Sequence, residues 1–177
     1  GSYSGQLVSI ASKSEDRRKN FGDKYDIHPD FRFDSYEDII NSEHIDAIYI
    51  STPHTLHAQW TIKAAGKGKH ILCEKPGAIN FNEGKKIIDA VREAGVFYME
   101  GFMYRCHPQI PKLVEIIKNK IIGDIISVET SFGFDMGKTI PDHRLFNKNL
   151  AGGGILDVGL YPISFSRLIA GVATGDK

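Results

Sequence analysis

Lys69-His70-Ile71-Leu72-Cys73-Glu74-Lys75-Pro76 is the stretch whose reading decides the fold. His70 to Cys73 reads as a short apolar strand. It ends on two charged residues and a proline, which cannot donate to a ladder. Working outward, His57 to Ala65 reads as a helix closed by Gly66, and Ala47 to Ser51 as the strand before it. On the other side, Asn80 offers a helix N-cap with Glu83 three residues on, a capping-box arrangement, and that helix runs to about Ala94 and stops at Gly95. Val96 to Glu100 is the next strand. Further upstream, Leu7 to Ala11 reads as a strand, Ser14 to Lys24 as a polar helix, and Asp34-Ser35 announces a short helix from Tyr36 to Asn41. Strands joined by helices in this order imply a parallel, doubly wound α/β sheet.

The pattern changes near Gly123. A helix with Ile110, Leu113, Ile116 and Ile117 on one stripe precedes it. Ile125 to Phe134 then reads as a long β stretch, Asp135 to Asn149 as loop, and the residues after Gly152-Gly153-Gly154 as an apolar segment to about Ile169. The reading therefore divides the chain into a partial dinucleotide-binding (Rossmann-like) domain, 1–122, and the start of an α+β substrate and dimerisation domain, 123–177. A complete dinucleotide fold opens with a strand and a glycine-rich turn that cradles pyrophosphate at a helix N-terminus. Gly1-Ser2-Tyr3-Ser4-Gly5 leads straight into what reads as the second strand, with no GxGxxG before it, and Gly175-Asp176-Lys177 ends the chain early. The expectation is truncation at both ends, with weak cofactor binding by the chain alone.

Composition sets the outer limits. The chain has 177 residues, 41% of them hydrophobic, and its 22 basic side chains balance 22 acidic ones, so no global field favours nucleic acid or an anionic membrane. Self-association is left open. Cys73 and Cys106 are isolated thiols rather than a disulfide framework, which points to a reducing, cytoplasmic setting. No run is expected to reach the length of a membrane span, and no signal peptide is apparent.

In an open parallel sheet, ligands lie beyond the carboxyl ends of the strands. Glu74-Lys75-Pro76 holds that position, as do Ser51-Thr52-Pro53-His54-Thr55-Leu56-His57 and Glu100-Gly101-Phe102-Met103-Tyr104-Arg105 after neighbouring strands. An isolated Glu-Lys-Pro would be a surface lysine before a turn. Together with Gly152-Gly153-Gly154-Ile155-Leu156-Asp157-Val158-Gly159-Leu160-Tyr161-Pro162, the ordered set resembles the Gfo/Idh/MocA oxidoreductases, closest to the dimeric dihydrodiol dehydrogenase and sugar dehydrogenase branch.

The resemblance implies catalytic roles for Lys75, which orients substrate, and for Tyr161 as acid/base, where many sugar-oxidising members carry histidine. A phenol with an ordinary pKa near 10 needs a nearby cation to work near neutrality, and Lys75 is the expected one. Asp157 lies four residues before Tyr161, on one helical face if the segment is helical, although Pro162 would kink or start a helix. Thr52, Pro53 and their neighbours Ser51, His54 and His57, with Glu74 and Pro76, are expected against the cofactor. Tyr104 and Arg105 are expected to line the substrate cleft, a scaffold role being the alternative for the arginine.

Ser12-Lys13, where a carboxylate would bind the ribose of NAD, points to NADP. His54 and His57 lack a third ligand for a metal, and Cys106-His107 reads as a packed thiol beside a histidine. The expected substrates are sugars, polyols or dihydrodiols, and a homo-oligomer is expected at full length. A dinucleotide sensor on the same fold, or an inactive fragment, is the competing reading.

Overall fold

The computed structural model describes residues 5–138 and 140–175; the terminal stretches Gly1-Ser2-Tyr3-Ser4 and Asp176-Lys177 lie outside them. The order is β1 (Ile10–Ala11), α1 (Glu15–Lys24), β2 (Arg32–Phe33), α2 (Tyr36–Asn41), β3 (Ala47–Ile50), α3 (His54–Ala65), β4 (His70–Cys73), α4 (Phe81–Ala94), β5 (Tyr98–Glu100), α5 (Gln109–Lys118) and α6 (Leu160–Thr174).

All strand pairings are parallel, and each crossover between paired strands contains a helix. The strands form two sheets rather than one, β1–β2 and β3–β4–β5. Between them runs a groove of about 780 Å³ lined by Ile10 and Ala11 on one side and Ala47 to Ile50 on the other. Among the described residues, each bordering strand therefore has a partner on one edge only. The expected strand Leu7 to Ala11 shrinks to two residues because only Ile10 and Ala11 find partners, Arg32 and Phe33.

Local chemistry explains the helices. Ser14 caps α1 by accepting from the Arg17 amide, and Ser35 caps α2 by accepting from Glu37 and Asp38. Asn80 caps α4 by accepting from Glu83, whose carboxylate in turn accepts from the Ile79 amide rather than from Asn80 itself. Gly95 ends α4 in the left-handed region at φ 65°, a conformation glycine takes at no steric cost. β4 alternates, burying Ile71 and Cys73 under α3 and α4 and leaving Leu72 exposed. Trp60, Ala64, Ala65, Ile87 and Val91 complete that core.

Two expectations change in the second part of the chain, and one that was left open is settled. Ile125 to Phe134 forms no strand; its β-prone residues have no ladder partner among the described residues, and Ile126 and Phe132 are exposed. The segment after the glycines is helical throughout, a π turn (Ile155–Gly159) running into α6. Pro162 has no amide for a regular helical bond, and the Leu160 amide reaches back five residues to Ile155. Finally, Lys148–Thr174 is long and apolar enough, by length and composition alone, to cross a membrane, where no run of that length was expected.

Candidate active site

The carboxyl ends of β1, β3, β4 and β5 carry most of the residues singled out in the sequence. Ser12 follows β1 and is fixed by its amide donating to Phe33. It shares the mouth of the groove with Ser51, Thr52 and Pro53. Lys13 lies beside it, its ammonium 5.8 Å from the centre of the Tyr36 ring. Thr52 Oγ1 and His54 Nδ1 are buried without hydrogen-bond partners among the described residues. Burial holds the His54 imidazole below its ordinary pKa, with the cations Arg144 and Lys75 adding to the effect and the Ala151 carbonyl opposing it. A neutral imidazole and a hydroxyl with free hydrogen-bonding capacity at a strand end suit a polar ligand such as a dinucleotide.

The structure gives His57 a different place from the expected cofactor contact. It is 1% exposed and lies beneath the site. Nδ1 is 2.7 Å from the Pro76 carbonyl and Nε2 is 2.7 Å from the Thr52 carbonyl, so the ring ties the loop after β3 to the turn after β4. Glycine makes two close approaches there. A Cβ on Gly101 would stand 3.2 Å from the Cys73 carbonyl, and one on Gly77 would strike the Tyr98 hydroxyl. The Gly77 amide donates to Glu100 at 2.7 Å, which secures the turn that carries Lys75.

Lys75 crosses the cleft. Its ammonium donates to the backbone carbonyl of Asp157 and, at 3.0 Å, to Asp157 Oδ1. The two side chains are only 15% and 13% exposed. The same ammonium stands 5.3 Å from the centre of the Tyr161 ring. Tyr161 is packed edge-on against Phe102 and Phe132, with centroid distances of 5.7 and 5.3 Å, and tilted against Tyr104 at 6.2 Å. The expected trio of Lys75, Asp157 and Tyr161 is therefore brought together.

Its electrostatics reverse one expectation. Burial, followed by the carboxylates of Glu74 and Asp157, pushes the Tyr161 phenol above its ordinary pKa. The Lys75 charge is matched by Asp157 and lies over the ring, so it does not pull the phenol down. At neutral pH Tyr161 therefore keeps its proton.

Tyr104 stands against Tyr161 and is held, with Arg105, by bonds to α6. The Tyr104 hydroxyl is 2.8 Å from Ser164 Oγ and accepts from Arg105 Nε at 2.9 Å, which fastens the turn after β5 to α6. Sequence reasoning missed Arg144, whose Nη1 is 3.9 Å from Asp157 Oδ1, and Tyr49, whose hydroxyl donates to Glu74 at 2.6 Å. Tyr49 was legible only as a strand residue. Arg144 was an unmarked cation in a loop.

The comparisons agree with this geometry. The family model described as an oxidoreductase family with an NAD-binding Rossmann fold matches residues 2–102, and the Gfo/Idh/MocA C-terminal domain matches residues 110–174. The chain is 37% identical to a D-xylose 1-dehydrogenase (NADP(+)) of Haloferax volcanii, over 94% of this chain and 50% of that protein. It is 33% identical to the trans-1,2-dihydrobenzene-1,2-diol dehydrogenase of Mus musculus, over 97% of this chain and 50% of the relative.

Among solved structures, the aldose-aldose oxidoreductase of Caulobacter crescentus complexed with glycerol superposes with a TM-score of 0.86 at 29% identity, over 94% of this chain and 50% of that one. A 3-ketoreductase of Actinomadura kijaniata in complex with NADP and TDP-benzene gives a TM-score of 0.75 at 28% identity, over 93% of this chain and 49% of that one. The chain thus spans about half the length of the relatives it matches. On both matched segments, this chain belongs to the Gfo/Idh/MocA oxidoreductase family.

Proposed function

We propose that the full-length protein is an NADP-dependent oxidoreductase that interconverts a hydroxyl-bearing carbon and its carbonyl on a sugar, a polyol or a cyclic dihydrodiol. The observation that carries this is the meeting of Lys75, Asp157 and Tyr161 beside the unpartnered polar atoms of Thr52 and His54. Ser12, Lys13, Ser51, Thr52, Pro53, His54 and Glu74-Lys75-Pro76 would hold the dinucleotide. When bound, its nicotinamide supplies or accepts the hydride.

The chain's own residues do the rest. Tyr161 holds a proton at its hydroxyl, ready for a substrate oxygen, and Lys75 steadies that oxygen. His57 acts from below by fixing the two loops, and the aromatic neighbours of Tyr161 limit water at the phenol. The names of the relatives support the NADP preference and the substrate class. Residues 1–122 and 123–177 serve as cofactor and substrate halves, and the full-length protein works as a cytoplasmic homo-oligomer.

The test is a chain of the relatives' full length assayed with NADP and NAD against aldoses, polyols and a trans-dihydrodiol. Turnover with one of these, faster with NADP, is expected. Lys13→Asp should move the kcat/KM ratio towards NAD, since a carboxylate repels the 2′-phosphate and offers the ribose an acceptor. No turnover across the panel would refute the activity, and an unchanged ratio would refute the role of Lys13.

A further inference from the structure

Asp157 faces two cations with one oxygen. Lys75 Nζ is 3.0 Å from Oδ1 and Arg144 Nη1 is 3.9 Å from the same atom. The two cations differ in setting, the lysine being 15% exposed and the arginine 59%. Both also act on the His54 imidazole, whose pKa they help to lower.

The backbone seats Arg144 deliberately. The Gly152 amide donates to the Asn147 carbonyl at 3.0 Å and the Gly153 amide to the Leu145 carbonyl at 2.8 Å. A Cβ on Gly152 would stand 2.9 Å from the Arg144 carbonyl. The start of the glycine run is thus pressed against the turn that carries Arg144, and the π turn that follows carries Asp157.

We propose that Arg144 is a positioning residue, the reserve partner of Asp157, which takes up that carboxylate when the Lys75 ammonium turns to a substrate oxygen. This rests on the activity proposed above. With both its shortest bonds made to Asp157, Lys75 must loosen its hold on the carboxylate to serve a substrate. A largely buried carboxylate abandoned by its only cation would resist that movement. A guanidinium already 3.9 Å away, mostly hydrated and so cheap to shift, removes the resistance.

The first test needs no turnover. The denaturant-unfolding midpoints of wild type, Arg144→Met, Lys75→Met and the double variant are compared at neutral pH. Each single variant should lower the midpoint little, because the other cation still faces the Asp157 carboxylate. The double variant should lower it by clearly more than the sum of the two singles, since two groups that share a partner do not add. Lys75→Gln serves if Lys75→Met fails to fold. A loss in the double variant equal to the sum of the singles would overturn the proposal.

The second test is kinetic. Arg144→Met should lower kcat about tenfold, one decade of barrier, with the cofactor KM unchanged. Arg144→Lys should restore most of it. In an Asp157→Asn background Arg144→Met should have no further effect, since the carboxylate it serves is gone. An equal loss in both backgrounds would mean that Arg144 acts on substrate directly, and would overturn the inference. If wild type turns nothing over, the proposed function fails while the unfolding comparison still decides the role of Arg144.

Discussion

Replacing Tyr161 with phenylalanine separates chemistry from packing. The ring keeps its edge-on neighbours Phe102 and Phe132 and the Lys75 ammonium 5.3 Å from its centre. The hydroxyl makes no hydrogen bond among the described residues, so its removal strands no partner. A substitution of that kind should change stability by less than about 0.5 kcal/mol. If the hydroxyl carries the substrate proton, kcat should nevertheless fall by roughly 10²–10⁴-fold, which is about 3–5 kcal/mol of barrier at 1.36 kcal/mol per decade.

The pH profile sharpens this. Because burial and two carboxylates hold the phenol above its ordinary value, carbonyl reduction, which needs the protonated form, should run flat through neutrality and decline only in the alkaline range. Tyr161→Phe should abolish that alkaline limb. The assay is a pair of pH–rate profiles in a chain of the relatives' full length, with thermal melts of both proteins. A kcat within about threefold of wild type with the limb intact would refute the reasoning and turn attention to Asp157 or His107.

Two further predictions concern stability. Gly152→Ala places a Cβ 2.8 Å from the Asn147 carbonyl and 2.9 Å from the Asn147 amide, atoms that cannot swing away, and should cost about 1–3 kcal/mol in denaturant unfolding. Gly154→Ala, with nothing within 4 Å, is the control and should cost far less; equal losses would remove close packing as the reason for the first glycine. Tyr49 donates to Glu74, and that bond with burial raises its phenol to about 12. Its contribution should be complete below the unfolded value near pH 10 and disappear as pH rises through about 12. The stability difference between wild type and Tyr49→Phe should shrink across that window, and a difference constant with pH would rule the bond out.

What could be read in the sequence was what neighbouring residues decide. Asn80 with Glu83, and Gly95 at the other end, mark α4 because caps are made by the residues that stand there. The parallel order of strands and helices was legible for the same reason. The division into two sheets was not, because pairing depends on which edges find partners in space. Ile125 to Phe134 has the composition of a strand and none of the pairing, and composition alone does not build a ladder. At the site, Lys75 and Tyr161 were found by motif and do meet. The sign of their interaction was missed, since it depends on Asp157 matching the lysine charge and on where over the ring the ammonium stands.

The two neighbouring histidines show how far residue type underdetermines role. Both lie in the first turn of α3, three positions apart, and both were expected to touch a cofactor. His54 opens α3 with a buried nitrogen that has no partner, and its environment favours the neutral ring. His57, one turn later, points inward onto two carbonyl oxygens. Carbonyls only accept, so a neutral ring can donate to one of them, while the imidazolium donates to both. One turn of helix therefore separates a ring with an unpartnered nitrogen from a ring that ties two loops together. The lysine depends on the second kind. Pro76, whose carbonyl His57 meets at 2.7 Å, directly follows Lys75, so the turn that carries the ammonium facing Asp157 is anchored by a buried ring.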